Sequence, residues 1–397
     1  MKPLLITQFT AVSCLGTGLA QTLAALSAQR SGLAPCRFDT VDIDTFVGQV
    51  AELEGERIAA ELARFDCRNN RLAQLALRQD EFSRGVRDCI ARHGAGRVGL
   101  FLGTSTSGIF ETERAYRRRD PFSGALPAAF HYAETHNAFA VTEFVRQVFS
   151  LHGPAVAISC ACASSAKVFA AAQRMIQAGL IDAALVGGID SLCLTTLYGF
   201  HSLQLTSTQP CRPFDAARDG ISIGEAAAFA LLERTPDSCD AGAFALLGAG
   251  ESSDAHHMSS PHPEGLGAKL AIEAALHSAQ LDASDIDYVN LHGTGTPGND
   301  RSESKAMNAV FGTRTPCSST KAATGHTLGA AGALEAVISL LTLQSEFMPA
   351  GLNVSQPDPV LQLQYVRENQ PKKLRRVLSN SFGFGGTNCS LIFGRIH

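Results

Sequence analysis

No stretch of this 397-residue chain approaches the roughly 18 unbroken apolar residues of a membrane span. The charge imbalance that would point to nucleic acid is also missing: 18% of residues are charged and the net charge is −4. Its eleven cysteines are an odd number without regular spacing, which argues against a disulfide framework and for a reducing cytoplasm. Cys160 and Cys162 form a C-x-C, but no second ligand pair is spaced for zinc. Low-complexity segments and coiled-coil heptads are absent. What remains is a globular chain, 45% hydrophobic and long enough for two domains of ordinary size.

The first residues, "MKPLLITQFTAVSCLGTGLAQTLAALSAQ", superficially resemble a signal peptide, with one lysine, an apolar stretch and small residues. Thr7, Gln8 and Thr10 interrupt that stretch early. Leu4 to Ile6 fit a first strand better, followed by a tight loop at Gly16 and Gly18 and then a helix.

Further on, short apolar runs alternate with small-residue helices: "RVGLFLGTS", "AVAIS", "AALVGG", "AAFALLE", "DYVNLHG", "RRVLSNS" and "CSLIFGR". The alternation predicts an α/β fold with strands buried on both faces. Arg234 to Ala243, "RTPDSCDAGA", reads as a linker between a half spanning 1–240 and a half spanning 241–397. Both halves share an ordering of strand, Gly-rich loop and Ala-rich helix, compatible with duplication, although no sequence repeat can be counted.

The chemistry concentrates at "AISCACASSAKVFAAAQRMI". Ala155 to Ile158 read as a strand, and Ser164 to Gln177 as a helix stopped at Gly179. Cys162 therefore stands where a buried strand ends and a helix begins. Unpartnered N–H groups and the helix dipole favour negative charge there, so the position predicts a depressed thiol pKa and a nucleophile. Two histidines lie far downstream in Gly/Thr-rich loops, His292 in "NLHGTGTPGND" and His326 in "STKAATGHTLGAAGALEA". A reactive thiol with separated histidines is the pattern of cysteine-nucleophile acyl chemistry. Taken singly, such cysteines are mostly inert core residues and such histidines turn residues. Their co-occurrence with a fourth small-residue loop, "SNSFGFGGTN", favours an enzyme.

In their order and spacing, "CACASS", "HGTGTPGND", "SSTKAATGHTLGAAGALEA" and "NSFGFGGTN" resemble the elongating β-ketoacyl-acyl carrier protein synthases. "CRPFDAARDG" and "DAHHMSSP" extend the resemblance over nearly the whole chain. It implies a thiolase fold, two similar halves packed as α-β-α-β-α layers, and decarboxylative Claisen condensation of an acyl group with a malonyl carrier. It further implies no cofactor beyond the carrier's phosphopantetheine arm. The implied partners are an acyl carrier protein and a second subunit, either identical or chain-length-factor-like.

By that resemblance Cys162 is acylated, and His292 and His326 donate Nε2–H bonds to the oxygen of the malonyl thioester as it becomes an enolate. Lys321 supports the two histidines electrostatically. The backbone N–H groups of Cys162 and Phe384 form a second oxyanion hole, and glycines at 383, 385 and 386 let Phe384 act as a gate. Asp300 and Glu303 would pass as helix N-terminal carboxylates, but Glu303 matches a glutamate that organises the lysine network. Thr294 and Thr296 match threonines that bind the phosphopantetheine arm. Asn290, Glu335, Ser379 and Asn380 match positions around a buried monovalent cation in some relatives, or else form a hydrogen-bonded core network. His256, His257 and His262 lack the spacing of a zinc site, and resemblance gives their loop a structural role.

Arg68 and Arg71 match carrier-docking surfaces better than the denser run Arg117, Arg118 and Arg119, which falls where relatives vary; the default for both is a solvated face. The loop "LGTSTSGIFETE" departs from the family's glycine-richer pocket segment, as does "DGISIGEAAAF" from a more aromatic one. Both suggest a specialised branch, such as the aryl polyene synthases. Within the first of these loops Thr104 and Ile109 are candidates for substrate binding: its hydroxyls bond within the loop and Ile109 faces the acyl chain. A chain-length partner would lack Cys162, and an initiating synthase would carry asparagine at His326. A degradative thiolase would need a cysteine-glycine loop that Cys389 does not have.

Overall fold

The computed structural model of the protein describes residues 2–236 and 242–396. Half of the segment expected as a linker, 237–241, lies outside the described residues. Ten strands carry the architecture: β1 Leu4–Ser13, β2 Val98–Gly103, β3 Ala155–Ile158, β4 Ala183–Asp190, β5 Ala226–Arg234, β6 Phe244–Ser253, β7 Tyr288–Asn290, β8 Cys317–Ser318, β9 Arg376–Gly383 and β10 Thr387–Arg395. The helices that matter here are α1 Arg68–Leu77, α2 Phe82–His93, α3 Ala140–Val148, α4 Ser164–Gln177, α5 Leu266–Ala279, α6 Pro297–Phe311 and α7 Ala331–Ser345.

The strand order shows the internal symmetry that the sequence conceals. The first five strands run β3-β2-β4-β5-β1 and the second five β8-β7-β9-β10-β6, the same order in each set. In both, the first three neighbours are parallel and the last two pairings antiparallel. The sets join only where Leu4 and Leu5 of β1 pair with Leu246 and Ala245 of β6.

Five layers follow from which faces are apolar. On the first sheet, α4 packs over β2 and β4 on one face, while α1, α2 and α3 cover the other. On the second, α7 packs over β9 and β10, and α5 covers the opposite face with α6 against it. Helices α4 and α7 touch, forming a shared central layer. A strand covered on both faces must be apolar throughout, and all eight residues of β4 are buried. A helix between two sheets must likewise be apolar all round, and Ala331 to Leu343 are all buried. That explains why Leu328–Ser345, the one stretch among the described residues long and apolar enough to cross a membrane, lies 89% inside the protein. The two polar ends of this packing, after β3 and after β8, meet at the site.

Candidate active site

Strand β3 and helix α4 have the bounds expected from sequence, and Cys162 sits between them, 7% exposed. Ala161 before it adopts φ +53°, a left-handed conformation that costs a non-glycine residue about 1–3 kcal/mol. The turn is held by Ser164, whose hydroxyl donates to the Ala161 carbonyl (2.5 Å) and accepts from the Cys160 N–H (2.9 Å). The backbone N–H groups of Phe384 and of Cys162 itself lie near enough to the sulfur to favour its thiolate. Phe384 comes this close because Gly383 has no side chain: a Cβ there would stand 3.1 Å from the Cys162 nitrogen.

His326 is fixed in the second half of the chain. Its N–H donates to the Ser222 carbonyl (2.7 Å) and its carbonyl accepts from Gly224 (3.0 Å). The ring then lies with Nε2 3.0 Å from Cys162 Sγ. His292 follows strand β7, and its ring is perpendicular to that of His326, centroids 5.3 Å apart and planes at 84°. Lys321, fully buried, directs Nζ to His292 Nδ1 (3.3 Å) and to the Glu335 carboxylate. Glu303 accepts from the His292 and Gly293 N–H groups (2.8 Å each) and from Asn380 Nδ2 (3.1 Å). Asp300 accepts from the Phe214 N–H (2.9 Å) and the Gly295 N–H (3.2 Å), so both carboxylates hold loop backbone rather than face the cleft.

Electrostatics follow from this depth. Burial, then the Lys321 charge, holds both histidines well below the ordinary imidazole range, so both are neutral at neutral pH. Burial pushes Glu303 up to about 7 despite its three donors. It also pushes the Cys162 thiol up to about 12, which reverses the expected depression. Lys321 and the N–H groups of Phe384 and Cys162 all favour the thiolate, but desolvation in the apolar cleft outweighs them.

A cleft of about 440 Å³ opens onto Cys162, His292 and His326. Thr294 and Thr296 line it with their hydroxyls 2.9 Å apart, beside Phe200, Leu205 and Phe384. The loop carrying the histidine trio His256, His257 and His262 buttresses the turn at 384–386: Gly385 N–H donates to the Met258 carbonyl (2.7 Å) and Asp254 N–H to that of Gly386 (2.8 Å).

Several expectations need correction. Arg68 is 7% exposed and not available for docking. It is bonded to Glu225 through Nε (2.8 Å) and Nη2 (2.6 Å) and to Glu54 (2.7 Å), while Arg71 is paired with Asp66 (2.5 Å). Thr104 does not line the cleft; its hydroxyl donates to Asp190 (2.7 Å), so the loop's hydroxyls are satisfied largely from outside the loop. Ile109 opens the helix Ile109–Arg117 and also lies off the cleft, whose apolar wall is Phe200, Leu205, Ile221 and Phe382. The Asn380 side chain is spent on Glu303 and on accepting from Ser390 (2.8 Å). Asn290 and Ser379 are register partners in β7 and β9, and their side chains, with Glu335 Oε2, are buried without partners among the described residues. That set of hard oxygen donors fits a monovalent cation of the kind the resemblance implies. Asp190 and Glu225, two buried carboxylates, had been missed altogether; each sits in or beside an apolar strand, where sequence signals only the strand.

The comparisons with known proteins agree with this geometry. The family model described as "Beta-ketoacyl synthase, N-terminal domain" matches residues 1–238, and "Beta-ketoacyl synthase, C-terminal domain" matches 244–355. The chain belongs to the β-ketoacyl synthase family. It is 32% identical to 3-oxoacyl-[acyl-carrier-protein] synthase 2 of Coxiella burnetii, over 100% of this chain and 99% of that one. It is 40% identical to the mitochondrial 3-oxoacyl-[acyl-carrier-protein] synthase of Arabidopsis thaliana over 64% of this chain, an alignment spanning 59% of that relative. Among solved structures it resembles a chain of the ketosynthase ApeO in complex with its chain length factor ApeC from Xenorhabdus doucetiae. That match has TM-score 0.90 and 38% identity, and covers 100% of this chain and 98% of that one. The synthase thus has the thiolase-type fold that its repeated strand order describes, and it is an acyl-transferring condensing enzyme.

Proposed function

We propose that this synthase elongates a Cys162-bound acyl chain by decarboxylative Claisen condensation with a malonyl group on an acyl carrier protein. The observation that carries the reading is the 3.0 Å approach of His326 Nε2 to Cys162 Sγ, with the His292 ring beside it at the floor of an open cleft.

In the first half-reaction the Cys162 sulfur attacks the carrier-bound acyl carbonyl. A new C–S bond forms, the carrier's C–S bond breaks, and the thiol proton leaves with the carrier's sulfur. The oxygen of the tetrahedral intermediate is held by the N–H groups of Cys162 and Phe384, both of which favour negative charge at the sulfur. In the second, the C–C bond to the malonyl carboxylate breaks, carbon dioxide departs, and the electron pair moves into an enolate. Lys321 donates to His292 Nδ1, which leaves Nε2–H of a neutral imidazole to face the enolate oxygen. His326 Nδ1 is buried without a partner among the described residues, so the Nε2–H tautomer, which leaves only a lone pair there, is favoured for it too. The enolate carbon then attacks the Cys162 thioester; a C–C bond forms, the C–S bond to Cys162 breaks, and the expelled thiolate takes a proton from water to restore the thiol.

The carrier's phosphopantetheine arm passes Thr294 and Thr296, and Phe384, packed on Phe200 at 5.6 Å, is its gate. Asn290, Ser379 and Glu335 would hold a monovalent cation that steadies the strand ends beneath the histidines. A second subunit covers strand β3, whose four apolar residues are half-exposed at the sheet edge. The likeness to a ketosynthase in complex with its chain length factor supports a chain-length-factor-like subunit in that place, while the departures in "LGTSTSGIFETE" and "DGISIGEAAAF" are what support a specialised product. The two halves, 1–240 and 241–397, are duplicated units. The described cysteines are all free, which supports a cytoplasmic location. Intact-mass analysis after incubation with a panel of acyl-carriers tests the reading. A thioester adduct on wild type that is lost in Cys162→Ala supports it, and absence of any adduct on wild type overturns it.

A further inference from the structure

At the end of strand β4 lies a carboxylate that makes no ion pair among the described residues. Asp190 is fully buried, and its charge is held by hydrogen bonds from two separate segments. From the loop after β2 it accepts from Thr104 Oγ1 (2.7 Å), the Ser105 N–H (2.8 Å), the Thr106 N–H (2.8 Å) and Thr106 Oγ1 (2.9 Å). From the loop that carries His326 it accepts from the Gly329 N–H (2.6 Å). The approach is too close for any side chain at 329, where a Cβ would stand 2.6 Å from Ser105 Oγ and 2.8 Å from Asp190 Oδ2.

The loop so held reaches the nucleophile. Ser105 Oγ donates to the carbonyl of Ala161 (3.2 Å), the left-handed residue directly before Cys162. Asp190 therefore connects the Cys162 elbow on one side with the His326 loop on the other, while touching neither reacting side chain. Elbow and histidine loop come from different halves of the chain, 164 residues apart at Cys162 and His326. Their separation has to be set by something that grips both. A buried carboxylate with five donors is expensive to desolvate and recovers that cost only when every donor is in place, so it specifies a single arrangement.

We propose that Asp190 is a positioning residue that fixes the Cys162–His326 geometry through Ser105 and Gly329. The proposal rests on Cys162 being the nucleophile, and the test separates the two. Asp190→Asn is isosteric but turns an NH2 group toward N–H donors, leaving at least one of them unmatched. The second-order rate of Cys162 alkylation by iodoacetamide, followed by peptide mapping, is compared with kcat and KM for condensation. The expected result for Asp190→Asn is slower Cys162 alkylation, kcat lower by roughly 100-fold, and KM for the malonyl carrier within about twofold of wild type. Should Asp190→Asn fail to fold, Ser105→Ala removes only the arm to Ala161 and leaves the carboxylate satisfied by its other donors. It should slow alkylation by about tenfold with the melting temperature little changed, and Ser105→Thr, which keeps the hydroxyl, should restore the rate. Folded variants that keep wild-type alkylation rate and kcat overturn the proposal. Wild type that is not alkylated at Cys162 instead overturns the reading on which it rests.

Discussion

Lys321 Nζ stands 3.3 Å from His292 Nδ1 and is bonded on its other side to Glu335, all three side chains being buried. This contact orients His292, because a donor at Nδ1 leaves the hydrogen on Nε2, facing the cleft. Removing Lys321 has two separable consequences. Lys321→Ala leaves a buried carboxylate unpaired and should destabilise the fold by about 3–5 kcal/mol in a denaturant titration. It also frees the His292 tautomer, which should lower kcat. A double variant, Lys321→Met with Glu335→Leu, removes both charges at similar volume and should recover most of the stability. Condensation should stay impaired in the double variant. Recovery of activity along with stability would show that Lys321 is only a structural partner of Glu335.

In the proposed mechanism both histidines serve the second half-reaction. His292→Ala and His326→Ala should each lower condensation by about 10²–10³-fold, the cost of one oxyanion donor, while Cys162 still accepts an acyl group. Acyl transfer is followed by intact mass, and decarboxylation by release of labelled carbon dioxide from malonyl carrier. Near wild-type condensation in both variants would contradict the two-histidine site.

How far the site could be read from sequence depended on burial. The bounds of β3 and α4 were legible because hydrophobic periodicity and a glycine stop operate locally. Cys162, His292 and His326 were legible because small-residue loops around polar side chains are unusual, whereas Lys321 was reached through the family resemblance. The matching strand order of the two halves was not legible, since strand order is a tertiary property and the halves share no countable repeat. The state of the Cys162 thiol was read with the wrong sign: the helix start predicts a lowered pKa, but a sequence does not show how far the sulfur is from water. Arg68 failed for the same reason. In "CRNNRLAQLAL" two arginines on a polar helix start look like a solvated face, yet Arg68, Asn69 and Asn70 are all buried. The Arg68 partner Glu225 lies 157 residues away.

Glu303 gives a pH signature. Burial raises its carboxyl from 4.5 to about 7, so between those values the folded state holds a proton that the unfolded state has released. Stability contributed by this group therefore falls as pH rises through that window, at up to about 1.4 kcal/mol per pH unit. Glu303→Gln removes the titration. Its stability relative to wild type should improve from pH 4.5 to about 7 and level off above. Parallel stability curves for the two proteins across that range would show that Glu303 is ionised throughout, held by its three N–H donors.

The Arg68–Glu225 pair makes the last prediction, because docking and structure call for opposite results there. Glu225 also accepts from the Val50 N–H (2.9 Å) and the Leu192 N–H (3.0 Å), so the pair pins two loops to the start of β5. Arg68→Ala strips a fully buried carboxylate of its cation and should cost about 3–5 kcal/mol of stability. A docking arginine would behave differently: its loss would raise KM for the carrier and weaken the salt dependence of that KM, with stability nearly unchanged. The expected outcome is a lowered denaturation midpoint for Arg68→Ala with an unchanged carrier KM in the protein that remains folded. Arg71→Ala, which breaks only a half-exposed pair with Asp66, should cost less than about 1 kcal/mol. A carrier KM raised several-fold in Arg68→Ala at undiminished stability would return Arg68 to the docking surface.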